Sequence, residues 1–383
     1  MSLTQKLSKL APAFVIASVW ITVYIGPGFA SGSMLVGFFV SKSWLGVFVG
    51  PTLTTLFAAS MTFCVMEFSR IHEAQDFRML YDAVFGKYRY FFATLKDTSI
   101  IVSIFVVGSL SFAAGGRLLS EITGVSHMLC GAIIMIIISA MVLGGRWLLI
   151  RISIWTTISL LTVVIAIVVV ALPTAWPKML EYVGNRTMNE TPFRVWLNII
   201  LFTNIMTAFT DAAIPLSRGV IKTRSDSIQA AVVGGILVLV ATIGMNIVLS
   251  SGMPDIAKVQ LPTLWVVTNI VDAAWLKIAY NIVAIVAIVT TLGNFLFGVL
   301  TRYQRVLDKK LPSLAGLRGR VLMLLIVSAS AFYFGGAGVP VVAMRGYSLM
   351  GYINTPFLEI PMLIIIFVSL YRMGKKKTSS TLG

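Results

Sequence analysis

The first long apolar stretch of the chain is broken at its centre by Gly26-Pro27-Gly28-Phe29-Ala30-Ser31-Gly32. A helix that crosses lipid must satisfy its own peptide groups, because no water is present to do so. Three glycines and a proline within seven residues oppose helix continuation. Irregular backbone at that depth persists where it is buried in protein or lines a wet cavity. The stretch therefore demands a polytopic surrounding that can take up its freed peptide groups.

Composition agrees. Of 383 residues, 58% are hydrophobic and 11% charged, and the mean hydropathy is +0.93, whereas a soluble domain carries roughly 25% charged residues. The chain reads as an all-α, multi-pass membrane protein with almost no extramembrane domain, and the lipid bilayer is its first partner. A net charge of +16 does not mark a nucleic-acid binder, because the basic residues lie in short loops between apolar runs and not on one soluble face. Cys64 and Cys130 both fall inside apolar runs, and His72 and His127 lie near span ends, so neither a disulfide nor a metal cluster is expected. Lys6 and Lys9 before an apolar run, with Ala30-Ser31-Gly32 after it, mimic a signal peptide. The run is too long for one and is read as an uncleaved first span.

With about 20 apolar residues per crossing, ten spans are expected: 11–40, 45–68, 98–116, 127–145, 152–173, 195–217, 228–250, 276–301, 319–336 and 346–371. Alternating sides then separate the charges. Of 30 lysines and arginines, all but Lys42, Arg117, Lys178, Arg186, Arg194, Lys258, Lys277 and Arg345 fall on the N-terminal side. The positive-inside rule puts that side in the cytoplasm of a cell membrane, with both termini inside. Residues 69–97 are expected to hold an amphipathic interfacial helix, and Glu67 a surface pair with Arg70.

Ten spans divide as five plus five, and an odd number per half makes the halves opposite in orientation. The expected organisation is one transmembrane domain: a first repeat over about 1–173, an external loop at 174–194, a second repeat over about 195–372 and a cytoplasmic tail at 373–383. The sixth span is the most polar, with Asn198, Thr203, Asn204, Thr207, Thr210, Asp211, Pro215 and Ser217. Breaks in corresponding helices of two halves point to a solute site at the midplane. Gly26, Gly28, Phe29 and Ala30 at the first break, and Asn204, Thr207, Phe209 and Asp211 at the second, are the candidate substrate residues; tight small-residue packing is the competing account. Freed N–H groups at a half-helix N-terminus suit a carboxylate. Asp211 and Glu359 are acids at depth, hence candidates for amine, cation or proton binding, although Glu359, between Pro356 and Pro361, also suits a structural hydrogen bond. Tyr24 and Phe209 flank the breaks as gates or as filler.

Ten spans, a first helix broken at Gly-x-Gly and a polar sixth helix resemble the leucine-transporter fold of the amino acid–polyamine–organocation superfamily. The stretch Gly26 to Gly32 resembles YkvI-type amino acid permeases, where Gly-x-Gly-Phe-Ala-Ser/Thr-Gly recurs at the break. Two departures stand out: Pro27 replaces a residue with an N–H, and Ser33-Met34 stand where a polar and an acidic residue are common. The resemblance implies that span three lines the site, through Ser103, Ser109, Ser111 and Phe112. It also implies a sodium site at Thr290 and Thr291, the carbonyl of Ala287, and the carbonyls of Thr22 and Ile25; an ordinary small-polar packing face is the alternative. No cationic residue in Ile152–Leu172 can stand in for that ion.

No phosphate loop, metal-ligand spacing or nucleophile–histidine pair is present, so no enzyme and no organic cofactor is expected. The expectation is a secondary transporter of a small zwitterionic solute, an amino acid, coupled to sodium or to protons through Asp211 or Glu359. A nutrient receptor of the same fold, binding without moving its ligand, is the alternative.

Overall fold

The computed structural model describes residues 12–207, 210–336 and 339–380. It is helical throughout, with one isolated bridge between Ser43 and Met188. Seven helical stretches are long and apolar enough to cross a membrane, and Phe14–Tyr24, His127–Leu143 and Pro262–Val271 are shorter apolar helices.

The first apolar stretch is interrupted where the sequence demands it. Helix α1 (Pro12–Tyr24) stops, Gly26 is extended at φ −85° and ψ −160°, and α2 (Pro27–Ala30) begins with a proline whose missing N–H costs nothing in a first turn. Gly32 turns the chain at φ +80°, a conformation open to glycine. The chain then runs on as α3 (Ser33–Leu35) and a π turn at Val36–Val40.

Next come α4 (Leu45–Ile71), α5 (Phe77–Phe85), α6 (Arg89–Thr123), α7 (His127–Leu143) and α8 (Arg146–Gly184). The second half holds α9 (Pro192–Thr207), α10 (Thr210–Ser217), α11 (Arg224–Ser250), α12 (Pro262–Val266), α13 (Ala274–Lys310), α14 (Leu317–Gly335), α15 (Val339–Val341), α16 (Tyr347–Asn354) and α17 (Ile360–Ser380). π turns at Val342–Gly346 and Thr355–Glu359 flank α16. Helix α1 packs against α8, α11 and α13, and α9 packs against α4 and α16. One continuous apolar core runs between them.

Three expectations change. The segment at 174–194 is not all loop: α8 continues to Gly184 with Pro173 and Pro177 inside it. Its far end is anchored, since the Tyr182 hydroxyl donates to the Val40 carbonyl at 2.7 Å. Span three starts earlier than 98, because α6 begins at Arg89, and the interfacial helix shrinks to α5, capped by the Asp76 side chain on Met79 N–H. Glu67 does pair with Arg70, bidentately at 2.9 and 2.7 Å, but it is buried and also accepts from the Ser227 hydroxyl at 3.1 Å. That pair ties α4 to α11.

Gly26 is the position where the break touches α13. A Cβ there would lie 2.6 Å from Thr291 Cγ2. Gly26→Ala should lower stability by about 1–3 kcal/mol through overpacking, read as a fall in melting temperature in detergent. Gly336→Ala, whose Cβ would meet only the Tyr333 carbonyl at 4.0 Å, should melt like the parent.

Candidate functional site at the helix break

A buried cluster of oxygens joins α1, α8 and α13 beside the break. Thr291 donates its hydroxyl to the Ala287 carbonyl at 2.8 Å and to the Thr22 carbonyl. Asn294, one turn on, donates from Nδ2 to Thr22 Oγ1 at 3.2 Å and to Ser153 Oγ at 2.8 Å. Thr156 and Thr290 share a hydrogen bond of 3.1 Å, and Thr157 donates to the Ser18 carbonyl at 3.2 Å. All of these side chains are buried. Asn294 Oδ1 and Ser18 Oγ, both fully enclosed, have no partner.

Three of the five expected sodium ligands therefore meet: the carbonyls of Thr22 and Ala287 and the hydroxyl of Thr291. The Thr290 hydroxyl instead serves Thr156 and the Val286 carbonyl. Ile25 faces a neighbouring cavity. The donor set is all oxygen and carries no formal charge, which suits a hard monovalent cation better than a soft metal. Sequence reasoning missed Ser18, Ser153, Thr156 and Thr157. The signal was there: Ser153, Thr156 and Thr157 recur at helical spacing on an otherwise apolar helix.

Of the expected substrate residues, Gly26, Gly28, Phe29 and Ala30 sit at the first break. Gly28 and Phe29 lie in the first turn of α2, where no upstream carbonyl of that helix can take their N–H groups. The Ala30 carbonyl accepts from the Tyr280 hydroxyl. Tyr24 packs edge-on against Phe29 and Phe202, and its hydroxyl pairs with Thr242 at 3.1 Å. Ser109 and Thr207 are buried, but each spends its hydroxyl hydrogen on its own helix, on Phe105 O at 2.6 Å and Thr203 O at 2.9 Å. Asn204 is fully buried and accepts from Asn354 at 2.8 Å. Glu359 is buried in the π turn after α16. Phe209 lies outside the described residues; Asp211 belongs to the first turn of α10.

Beside the break, Ile25, Phe29, Ala30, Tyr280 and the Leu160–Ile167 wall of α8 enclose a cavity that leaves ≈ 20 Å³ for the centre of a water-sized sphere. That is about what one water requires. The cavity is shut at one end, where Thr263 N–H donates to Ser31 O at 3.1 Å and Pro262 and Thr263 close on Gly32. At the opposite end of the bundle, Arg146 donates to the Leu216 carbonyl at 3.0 Å and to that of Arg218, capping α10. Arg305 pairs there with Asp76 at 3.0 Å, and Arg78 with Asp97 at 2.9 Å.

No family model matches the chain, and no curated protein matches it in sequence. Solved structures match in fold. Mhp1, a nucleobase-cation-symport-1 family transporter seen closed with bromovinylhydantoin bound, is 14% identical with a TM-score of 0.62, over 86% of this chain and 74% of that one. A manganese transporter of Eremococcus coleocola is 14% identical with a TM-score of 0.60, over 94% of this chain and 80% of its own. A Na+-coupled sialic acid symporter is 13% identical with a TM-score of 0.50, over 92% and 84%. These neighbours are transporters and not enzymes, and they share the leucine-transporter fold. The chain is thus a multi-pass integral membrane protein with that fold.

Asn294→Leu removes the two hydrogen bonds that tie α13 to Thr22 and Ser153. It should cost about 1–3 kcal/mol of stability, seen as a lower melting temperature; an unchanged melting curve contradicts the cluster.

Proposed function

We propose that the chain is a secondary active transporter of a small zwitterionic solute, an amino acid in the first instance, driven by a sodium gradient. The observation that carries this reading is the buried oxygen cluster around Thr22, Ala287, Thr291 and Asn294, set against the broken first helix. The Thr22 and Ala287 carbonyls and the Thr291 hydroxyl converge there, and an uncharged set of oxygens suits a hard monovalent cation.

The proposed mechanism is alternating access. Ten spans form two inverted repeats of five, in the cell membrane with both termini cytoplasmic. The α12 plug over Ser31 and Gly32 closes the outer side, and the arginine contacts of Arg146, Arg78 and Arg305 close the inner side. Sodium held by the Thr22 and Ala287 carbonyls and the Thr291 hydroxyl would hold the first helix against α13; the Thr290 hydroxyl and Ile25 carbonyl would have to turn toward it to complete the five. Its departure inward would release that hold and let the inner contacts open. The Gly28 and Phe29 N–H groups would take the solute carboxylate, with Gly26 and Ala30 shaping the turn. Asp211 would take its amine, and Ser109, Asn204, Thr207 and Phe209 would line the remaining walls. Na+ coupling in the sialic acid symporter of the same fold supports this ion; protons through Asp211 or Glu359 are the alternative coupling.

Purified protein in liposomes, given labelled amino acids, should show uptake that rises at least about tenfold with an inward sodium gradient. Thr291→Val should abolish the sodium dependence while the protein still melts cooperatively. Flux that follows a pH step and ignores sodium overturns the sodium assignment. Binding without flux, with either ion, makes the molecule a receptor. Asp211→Asn should reduce uptake by at least tenfold; unaltered uptake removes that acid from the site.

A further inference from the structure

Asn204 and Asn354 are both fully buried where α9 meets α16, and only half of their hydrogen-bonding capacity is used. Asn354 Nδ2 donates to Asn204 Oδ1 at 2.8 Å. Among the described residues, Asn204 Nδ2 and Asn354 Oδ1 have no partner. Exchanging O and N in both amides would leave the same remainder, one N–H donor and one carbonyl acceptor. Buried polar side-chain atoms are paired in the large majority of cases, and each exception calls for an explanation.

The position of the pair supplies one. Asn204 lies one turn before Thr207, the last residue described for α9. On α16, Tyr347 precedes Asn354 by seven residues and so shares its face. The Tyr347 ring comes within 3.4 Å of where a Cβ on Gly28 would stand, in the first break. One face of span ten thus reaches from the first break to Asn204 on α9. Gly351 permits this crossing: a Cβ there would lie 2.8 Å from the Leu201 side chain and 3.0 Å from its carbonyl. The adjacent Thr355 hydroxyl is also buried and unpaired.

We propose that Asn204 and Asn354 form a subsite for a neutral, amide-bearing group of the solute, with Asn354 of span ten as a specificity-determining residue. The inference rests on the transporter reading and deepens it. A carboxamide offers a carbonyl to Asn204 Nδ2 and an N–H to Asn354 Oδ1. A carboxylate satisfies only the first, and an ammonium only the second. An alkyl group satisfies neither, and a site that strands its buried polar groups rejects such an analogue strongly.

The test uses the full-length protein in detergent and in liposomes. L-Glutamine or L-asparagine should raise the melting temperature at concentrations at least tenfold lower than L-leucine or L-glutamate. Asn354→Leu should bring that ratio near one, and Asn354→Thr should lie between. The sodium-dependent melting shift of each variant should stay intact, which shows that it is folded. Equal potency of glutamine and leucine overturns the subsite. So does a ratio that Asn354→Leu and Asn354→Thr both leave unchanged, or no stabilisation by either carboxamide, which would mean the pair holds water only. Stabilisation by glutamine without any flux leaves the subsite standing and overturns transport; sodium-driven leucine flux without carboxamide preference does the reverse.

Discussion

Peptide groups that lose their helical partners inside an apolar bundle must find others, and the architecture follows from how this chain meets that requirement at Ile25 and Gly26. The carbonyl freed at Thr22 is met by Thr291 from α13, and the Ala30 carbonyl by Tyr280 from the same helix. Helix α13 therefore serves as the partner that the interrupted helix lacks. Its own approach is possible because residue 26 carries no side chain. The break, the hydroxyl pair and the glycine depend on one another, and none of the three is stable at this depth alone.

The same economy explains the polar residues around them. Ser153, Thr156 and Thr157 on α8 do not interrupt that helix, yet they partner Asn294, Thr290 and the Ser18 carbonyl. Three helices from both halves of the chain are joined by side chains too short to carry much conformational entropy. Among the atoms that remain unpaired in the described residues are Asn294 Oδ1 and Ser18 Oγ here and the Asn204–Asn354 amides at α9 and α16. Such residues of unmet capacity are where a guest gains most.

Much of this was legible in the sequence. The Gly26–Gly32 interruption and the Thr290-Thr291 pair are local signals, and they sit at the first break and in the oxygen cluster. Long-range contacts left weaker marks. Glu67 looked like a surface acid because its neighbour Arg70 is near in sequence, whereas Ser227, which helps to bury it, is 160 positions away. Pro173 and Pro177 suggested an end to span five, but α8 carries both, and Tyr182 beyond them is held by Val40. The plug at Pro262–Val266 is too short to announce itself by hydropathy. Asn354 is a single amide in an apolar run, and only its encounter with Asn204 gives it meaning.

The claim on which the account depends is that the interrupted first helix and α13 together create an oxygen site for sodium. A cryo-electron density map of the protein in sodium buffer, compared with one in choline buffer, tests it most directly. The account predicts an interrupted backbone at Ile25–Gly26 in both maps, with a compact peak among Thr22 O, Ala287 O and Thr291 Oγ1 in sodium alone. A continuous helix through residue 26, or identical density in the two buffers, would contradict it.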